Sequence, residues 1–244
     1  MYNYKLIIEY DGLNFNGWQK QKYTSNTIQE QIESSIEKLL KKEIKLTAAG
    51  RTDSGVSAYN QVANFKYHDK IDIMKFTYSL NSILPETITV KKILNVPLDF
   101  NSRYSAKKRD YIYKITTQKI SLSRQYHYKI CFDLNFKNID SFLNFLKKQK
   151  NFRSLCKNDV DKNNFDCKIF DLNYKQVKSK NEIIFYISAN RFLHSMVRAI
   201  VGCALEIGRE KIQLKKIKEK IKSGEKIPVH YLPANALFLK KIHY

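Results

Sequence analysis

What most limits the folds open to this chain is the order of its hydrophobic patterns. Over the first hundred residues, strand-like alternation and helical stripes follow one another in a fixed succession. Residues 4–10 alternate imperfectly and are rich in Tyr and Ile, which reads as a strand. Ile28, Ile32, Ile36, Leu39 and Leu40 recur at helical spacing, with Asn26 or Thr27 as a cap and Gln29 or Glu30 three residues further on. Runs 44–48 and 60–67 read as strands, 71–84 as a helix ended by Pro85, and 87–96 as a closing strand. This β-α-β-β-α-β order predicts a ferredoxin-like half of about a hundred residues.

The second half follows the same theme more loosely. Runs 103–106 and 110–117 read as strands, and 118–132 as an insertion carrying Arg124 and His127. A helix over 139–146, strands over 168–178 and 182–189, and a helix over 192–207 follow. A Lys-rich helix over 210–221 and a strand over 236–242 complete the chain. The two halves share an order of elements without a sequence repeat. The division falls at 1–100 and 101–244, and no low-complexity linker separates the two. The expectation is therefore an α/β (α+β) protein, its halves sharing one mostly antiparallel sheet with a cleft at its centre.

Composition narrows the class. With 244 residues, 43% hydrophobic residues and only 7 Gly, the chain suits a packed globular protein. Lys+Arg number 44 against 23 Asp+Glu, a formal charge of +21 that attracts polyanions, nucleic acid first among them. Eight of the 44 are Arg; the Lys-rich, Asn- and Ile-rich bias also fits AT-rich codons, so the sign of the charge says more than its size. Cys131, Cys156, Cys167 and Cys203 are irregularly spaced, with no C-x-x-C and no His at zinc-finger spacing. That pattern points to reduced thiols and no metal. No apolar run approaches the length of a membrane span, and the amino terminus lacks a signal-peptide pattern. A soluble cytoplasmic protein is expected.

Two places carry chemistry. In Thr47-Ala-Ala-Gly-Arg-Thr-Asp-Ser-Gly-Val-Ser57, Gly50 and Gly55 bracket Arg51, Thr52 and Asp53. Glycine permits positive φ or the close approach of a ligand. An Arg two positions before an Asp can project to the same side of a tight turn, where it keeps the acid ionised. The plain alternative is a strand-to-turn junction with an Asx turn and a solvated Arg. The other place is the 192–207 helix. Phe192, Met196, Ile200, Cys203 and Ile207 make an apolar face, and Arg191, Ser195, Arg198, Gly202 and Arg209 lie opposite. That second stripe is either a solvated basic face or the wall of a polyanion cleft, with an arginine to partner Asp53.

Several segments then match one family in order. Tyr10-Asp-Gly-Leu-Asn-Phe-Asn-Gly-Trp-Gln-Lys-Gln21, Ala49-Gly-Arg-Thr-Asp-Ser-Gly-Val56, Phe100-Asn-Ser-Arg-Tyr-Ser-Ala106 with Arg109-Asp-Tyr111, and Phe192-Leu-His-Ser-Met-Val-Arg198 with Val201-Gly202 resemble the motifs of the tRNA pseudouridine synthase A (TruA) family. The resemblance implies isomerisation of uridine to pseudouridine in the anticodon stem-loop of tRNA, at tRNA positions 38–40, without a cofactor. It places the catalytic aspartate on Asp53 and an active-site arginine, for base extrusion or phosphate contact, on Arg51. The active-site tyrosine falls on Tyr111, the arginine partner of Asp53 on Arg198, and an apolar pocket wall on Leu237. It further implies two α/β halves around a catalytic cleft, in a homodimer that holds tRNA across both subunits. Four positions depart from the family pattern: Ser57 and Ser195 where His is common, Ala236 where Gly is common, and Asp110 within a normally basic segment.

The chemistry suits these residue types. The N1–C1′ bond breaks, the base turns, C5 joins C1′, and the C5 proton leaves; no redox step or energy input is required. An ionised carboxylate can attack C6 or C1′, or take the 2′ proton. An arginine keeps it charged in any pocket, and a tyrosine can stack on the base and assist the deprotonation at C5. A non-catalytic RNA-binding module of RRM architecture is the rival reading; it would use aromatic residues on its sheet face and have no need of the Arg51–Asp53 turn.

Overall fold

A computed structural model describes residues 1–157, 164–228 and 230–244. The chain divides into two units, Met1–Lys107 with Phe238–Tyr244, and Lys108–Leu237.

In the first unit, β1 (Tyr2–Tyr10) is followed by α1 (Ile28–Leu40), β2 (Thr47–Ala48), β3 (Ser57–Tyr67), α2 (Ile73–Ile83) and β4 (Ile88–Val96). The order is the β-α-β-β-α-β expected from the pattern. β1 lies between β4 and β3, antiparallel to both, and β2 pairs antiparallel with the Ala63–Asn64 stretch of β3. Alternation along β1 sends Tyr4, Leu6, Ile8 and Tyr10 into the core. Ile28, Ile32 and Ile36 of α1 are fully buried, each contributing about 2 kcal/mol of transfer free energy. Thr27 is the cap that α1 uses, its side chain accepting from the Glu30 N–H, while the Glu30 carboxylate turns to Lys20 instead. The run 44–48 yields only a two-residue strand, because the Leu46 N–H is taken by the Glu33 carboxylate at 2.7 Å rather than by a neighbouring strand. The run 103–106 is a turn and not a strand. The Asn101 side-chain oxygen accepts from the N–H groups of Arg103 and Tyr104, an Asx arrangement that curls the backbone.

The second unit contains β5 (Lys108–Thr116), β6 (Tyr128–Lys129), α3 (Phe136–Leu146), β7 (Ile169–Val177), β8 (Glu182–Ala189), α4 (Met196–Gly208) and α5 (Leu214–Ser223). β8 lies between β5 and β7 and is antiparallel to each; the short β6 runs parallel to the end of β5. α3 packs on β7, α4 and α5. The last strand, β9 (Leu237–His243), enters the first unit, where Phe238 and Leu239 pair in parallel with Ser57 and Ala58 of β3. Among the described residues no helix is long and apolar enough to cross a membrane.

α4 begins four residues later than the pattern indicated. Ser195 stands in the left-handed region at φ 57°, which interrupts helical geometry just before Met196. α5 is likewise delayed to Leu214, since Glu210 is left-handed at φ 60° and the Glu206 carbonyl accepts from both Lys211 and Ile212. Nor is α4 divided into an apolar and a basic face. Every residue from Met196 to Gly208 is buried except Arg198 and Glu206, as for a helix enclosed on all sides. Of the five residues assigned to a basic stripe, Arg191 and Ser195 precede the helix and Gly202 is buried. Arg209 lies beyond the helix end, paired with Glu206 at 2.9 Å and set over the Phe132 ring. Of the stripe, Arg198 is the arginine that lies within α4, where it is half-buried.

Candidate active site

In the first unit the site is a turn clamped by a second loop. The Asp53 carbonyl accepts from the Val56 N–H at 3.2 Å, and Gly55, third residue of this turn, has φ 81°. A positive φ at that position alone fits a type II turn and needs glycine. Exposure alternates along Arg51, Thr52 and Asp53 as exposed, buried and half-buried. The Thr52 side chain points inward, while Arg51 and Asp53 on either side of it are exposed and half-buried. Inside, the Thr52 hydroxyl meets the Tyr10 phenol at 2.8 Å, and the Gln61 carboxamide donates to the Gly50 carbonyl at 2.9 Å. Burial pushes the Tyr10 phenol up to about 12, against the opposing pull of its hydrogen bonds to Thr52 and Gln61.

The clamp is the loop between β1 and α1. Trp18 N–H donates to the Thr52 carbonyl, while the Ser54 hydroxyl and the Gly55 N–H donate to the Phe15 carbonyl. A side chain at Gly17, which has φ 86°, would place its Cβ 2.8 Å from the Thr52 oxygen; at Gly12 it would lie 2.0 Å from the Val56 oxygen. Only glycine lets these two backbones lie so close. The loop is tied to α1 as well, since the N–H groups of Ile28 and Gln29 donate to the Gly17 and Trp18 carbonyls and so satisfy helix-start donors. Ser57, a departure from the family pattern, locks the other end. Its buried hydroxyl accepts from the Gly12 N–H at 3.0 Å and donates to the Asp11 carboxylate at 3.3 Å.

The second unit holds Tyr111, Arg198 and Leu237. Tyr111 on β5 is buried and meets Phe192 edge to face, ring centroids 5.1 Å apart. Arg198 on α4 donates through Nε to the Leu232 carbonyl, and Tyr113 on β5 donates its hydroxyl to the adjacent Pro233 carbonyl at 2.9 Å. Burial raises the phenols of Tyr113 and Tyr231, and the nearby Arg198 charge opposes both shifts. Leu237 is buried at the start of β9, after a single 3-10 turn over Ala234–Ala236. Ala236 is fully buried and is not among the residues with positive φ, so the methyl group in place of the family glycine fits without strain. Asp110, the acid in a basic segment, is answered locally: Ser188, opposite it on β8, donates to its carboxylate at 2.6 Å, and Lys108 stands 3.6 Å away.

Arg51 and Asp53 thus lie on one loop of the first unit, and Tyr111, Arg198 and Leu237 belong to the second. Of the bracing groups, Tyr10 and Trp18 lie in the Tyr10–Gln21 motif without a role assigned to them, and Tyr113 lies outside the motifs. For Tyr113 a signal existed, since two-residue periodicity puts it on the same strand face as Tyr111.

The family model described as tRNA pseudouridine synthase matches residues 6–105 and 149–244, spans that include Arg51, Asp53, Arg198 and Leu237 but not Tyr111. The tRNA pseudouridine synthase A of Caldicellulosiruptor bescii is 38% identical over 93% of this chain and 96% of its own length. That of a Thermoanaerobacter species is 36% identical over the whole of both, and that of Bacteroides thetaiotaomicron 32% identical over 100% of this chain and 91% of its own. Among solved structures, an archaeal box H/ACA sRNP Nop10–Cbf5 complex is matched at 13% identity and TM-score 0.35, over 83% of this chain and 43% of that one, a likeness too slight to carry weight. By the family model and by relatives that align along its whole length, the chain belongs to the tRNA pseudouridine synthase family, whose members isomerise uridine in tRNA.

Proposed function

We propose that this protein converts uridine to pseudouridine in the anticodon stem-loop of tRNA, with Asp53 as the essential carboxylate. The observation that carries the reading is the clamped turn: Thr52 is fixed inward at its hydroxyl and its carbonyl, which leaves Asp53 half-exposed on a rigid mount. A preorganised group needs no reordering as the transition state forms.

The reaction is an isomerisation, so atoms balance within the nucleoside. The N1–C1′ bond breaks, the ring turns, the C5–C1′ bond forms, and the C5 proton is lost while N1 gains one. Asp53 acts either as nucleophile, at C6 or C1′, or as the base for the 2′ proton. Tyr111 stacks on the base and takes part in the deprotonation at C5. Arg198 supplies the positive charge that keeps the carboxylate ionised, and Leu237 gives the base an apolar wall. Extruding a uridine from a stem costs a few kcal/mol, and Arg51, exposed beside Asp53, fills the vacated space or grips the flanking phosphate. A homodimer, as the family resemblance implies, and a cytoplasmic location, as the cysteine spacing and the lack of a signal-peptide pattern lead one to expect, belong to this reading.

Tritium release from tRNA transcripts labelled at uridine C5 tests it. Wild-type protein should release tritium, and Asp53→Asn should bind the same transcript with no release. Release by Asp53→Asn at the wild-type rate, or release from transcripts whose labelled uridines all lie outside the anticodon arm, would overturn it.

A further inference from the structure

The stretch from His230 to Leu237 runs to the start of β9 with only one short turn of its own, and side chains from elsewhere in the second unit hold it in place. A Cβ on Gly202 would lie 2.2 Å from the His230 carbonyl oxygen, so the absence of a side chain there lets the stretch lie directly on α4. Arg198, one helical turn earlier, donates Nε to the Leu232 carbonyl. Tyr113 donates its hydroxyl to the next carbonyl, that of Pro233. The Asn235 carboxamide donates to the Gln125 carbonyl in the insertion. Leu237 follows two residues later.

These contacts couple residues that motif matching treats separately. A guanidinium is planar, so anchoring Nε on one carbonyl sets the plane in which its terminal nitrogens lie. The Leu232 carbonyl is one peptide away from the Pro233 carbonyl that Tyr113 holds. Displacing Pro233 therefore moves the anchor of Arg198 and the lead-in to Leu237 together. The Tyr113 hydroxyl is suited to a fixed donor. Burial keeps it protonated well above the ordinary tyrosine range, so it remains a donor to the carbonyl.

We propose that Tyr113 is a positioning residue for the isomerisation: its hydroxyl fixes the Pro233–Ala234 peptide, and so the adjoining Leu232–Pro233 peptide that sets the heading of Arg198 and the place of Leu237. The proposal rests on the reading that Arg198 works in the active site. Tyr111 and Tyr113 then have distinct duties on one strand face, the first toward the base and the second toward the chain that orients the cation.

The test is a double-mutant cycle of Tyr113→Phe with Arg198→Lys, read by single-turnover tritium release, tRNA affinity and melting temperature. Tyr113→Phe keeps the ring and its packing and removes only the hydroxyl. It should lower the rate about tenfold, the equivalent of one lost hydrogen bond, with tRNA affinity within about twofold of wild type. In the Arg198→Lys background, where no planar guanidinium remains to be aimed, the same substitution should cost less than about twofold in rate, while the drop in melting temperature persists. A purely structural role would lower the rate equally in both backgrounds, and that outcome, or an unchanged rate in Tyr113→Phe, overturns the proposal. Arg198→Lys turning over at the wild-type rate would instead remove Arg198 from the active site, a failure of the underlying reading that the cycle keeps distinct.

Discussion

At the scale of single residues, the groups around Asp53 are specialised for holding rather than reacting. Tyr10 is the example with a measurable signature. Its phenol is fully buried against Thr52, and its proton is held to about 12 rather than the usual 10. A group raised in the folded state stabilises the protein fully below its unfolded pKa, and the contribution is lost as pH rises through the folded value. Tyr10 should therefore leave stability untouched up to about pH 9, cost about 1 kcal/mol by about pH 11, and cost about 3 kcal/mol once both states are ionised. Urea midpoints of the wild type and Tyr10→Phe at about pH 9 and pH 11 check this: the variant should lose less between the two. Equal losses would show that the alkaline transition belongs to the other raised groups, such as Tyr174 or Cys203. Asp53 and Arg51 were legible in the sequence because their types and spacing carry chemistry. Tyr10 stood at the end of a strand and the start of a motif with no role of its own, since nothing in a two-residue alternation says that its hydroxyl ends on Thr52.

At the scale of elements, the sequence was most legible where a period governs and least where a backbone contact does. The stripe Ile28, Ile32, Ile36 predicted α1 because those side chains do face the core. The same reasoning misplaced the start of α4, because φ at Ser195 is set by the turn that feeds the helix, and it misread the helix faces, because periodicity cannot report that a helix is covered all round. The fit of the 11–18 loop on the 51–57 loop was visible only as a scatter of glycines. Gly17 supplies the element-level prediction. An alanine there must adopt φ 86° and bring its Cβ within 2.8 Å of the Thr52 carbonyl and 3.2 Å of the Asp53 carbonyl carbon. The left-handed conformation alone costs about 1–2 kcal/mol, and relieving the contact must shift the turn that carries Asp53. Gly17→Ala should melt several degrees lower and release tritium at least about tenfold more slowly, with tRNA binding little changed. If the rate stays at wild type while the melting temperature falls, the clamp stabilises the fold without aiming the carboxylate.

At the scale of the whole molecule, some arginines and most lysines differ in their setting. Among the eight arginines, Arg109 donates to the Asn190 carbonyl, Arg198 to the Leu232 carbonyl and Arg209 to the Glu206 carboxylate, fixed partners that suit a planar fork. The lysines are 44 less 8, or 36, and most of those described are exposed or half-exposed, where an ammonium keeps its water and still contributes to the field around the protein. The division separates two parts of tRNA recognition that composition could only add together. On the proposed reading, the arginines with fixed partners set geometry, and the distributed lysines supply attraction that does not depend on sequence. Such attraction works by displacing counterions from the RNA, so it has a salt signature. If about six phosphates are neutralised, affinity should fall about a thousandfold between 50 and 200 mM salt. The slope of log affinity against log salt should be the same for a substrate tRNA and for one lacking the target uridine, because both present the same phosphates. Filter binding across that range decides the matter. A steep common slope assigns the excess charge to RNA binding, and a flat one assigns it to codon bias, the alternative that the Lys, Asn and Ile content raises. Replacing two exposed lysines should reduce the slope by about two without changing the single-turnover rate of the bound complex, since neither touches the Asp53 mount. A rate that fell with the slope would mean that the lysines also help to seat the uridine, and that attraction and geometry are not divided between the two residue types.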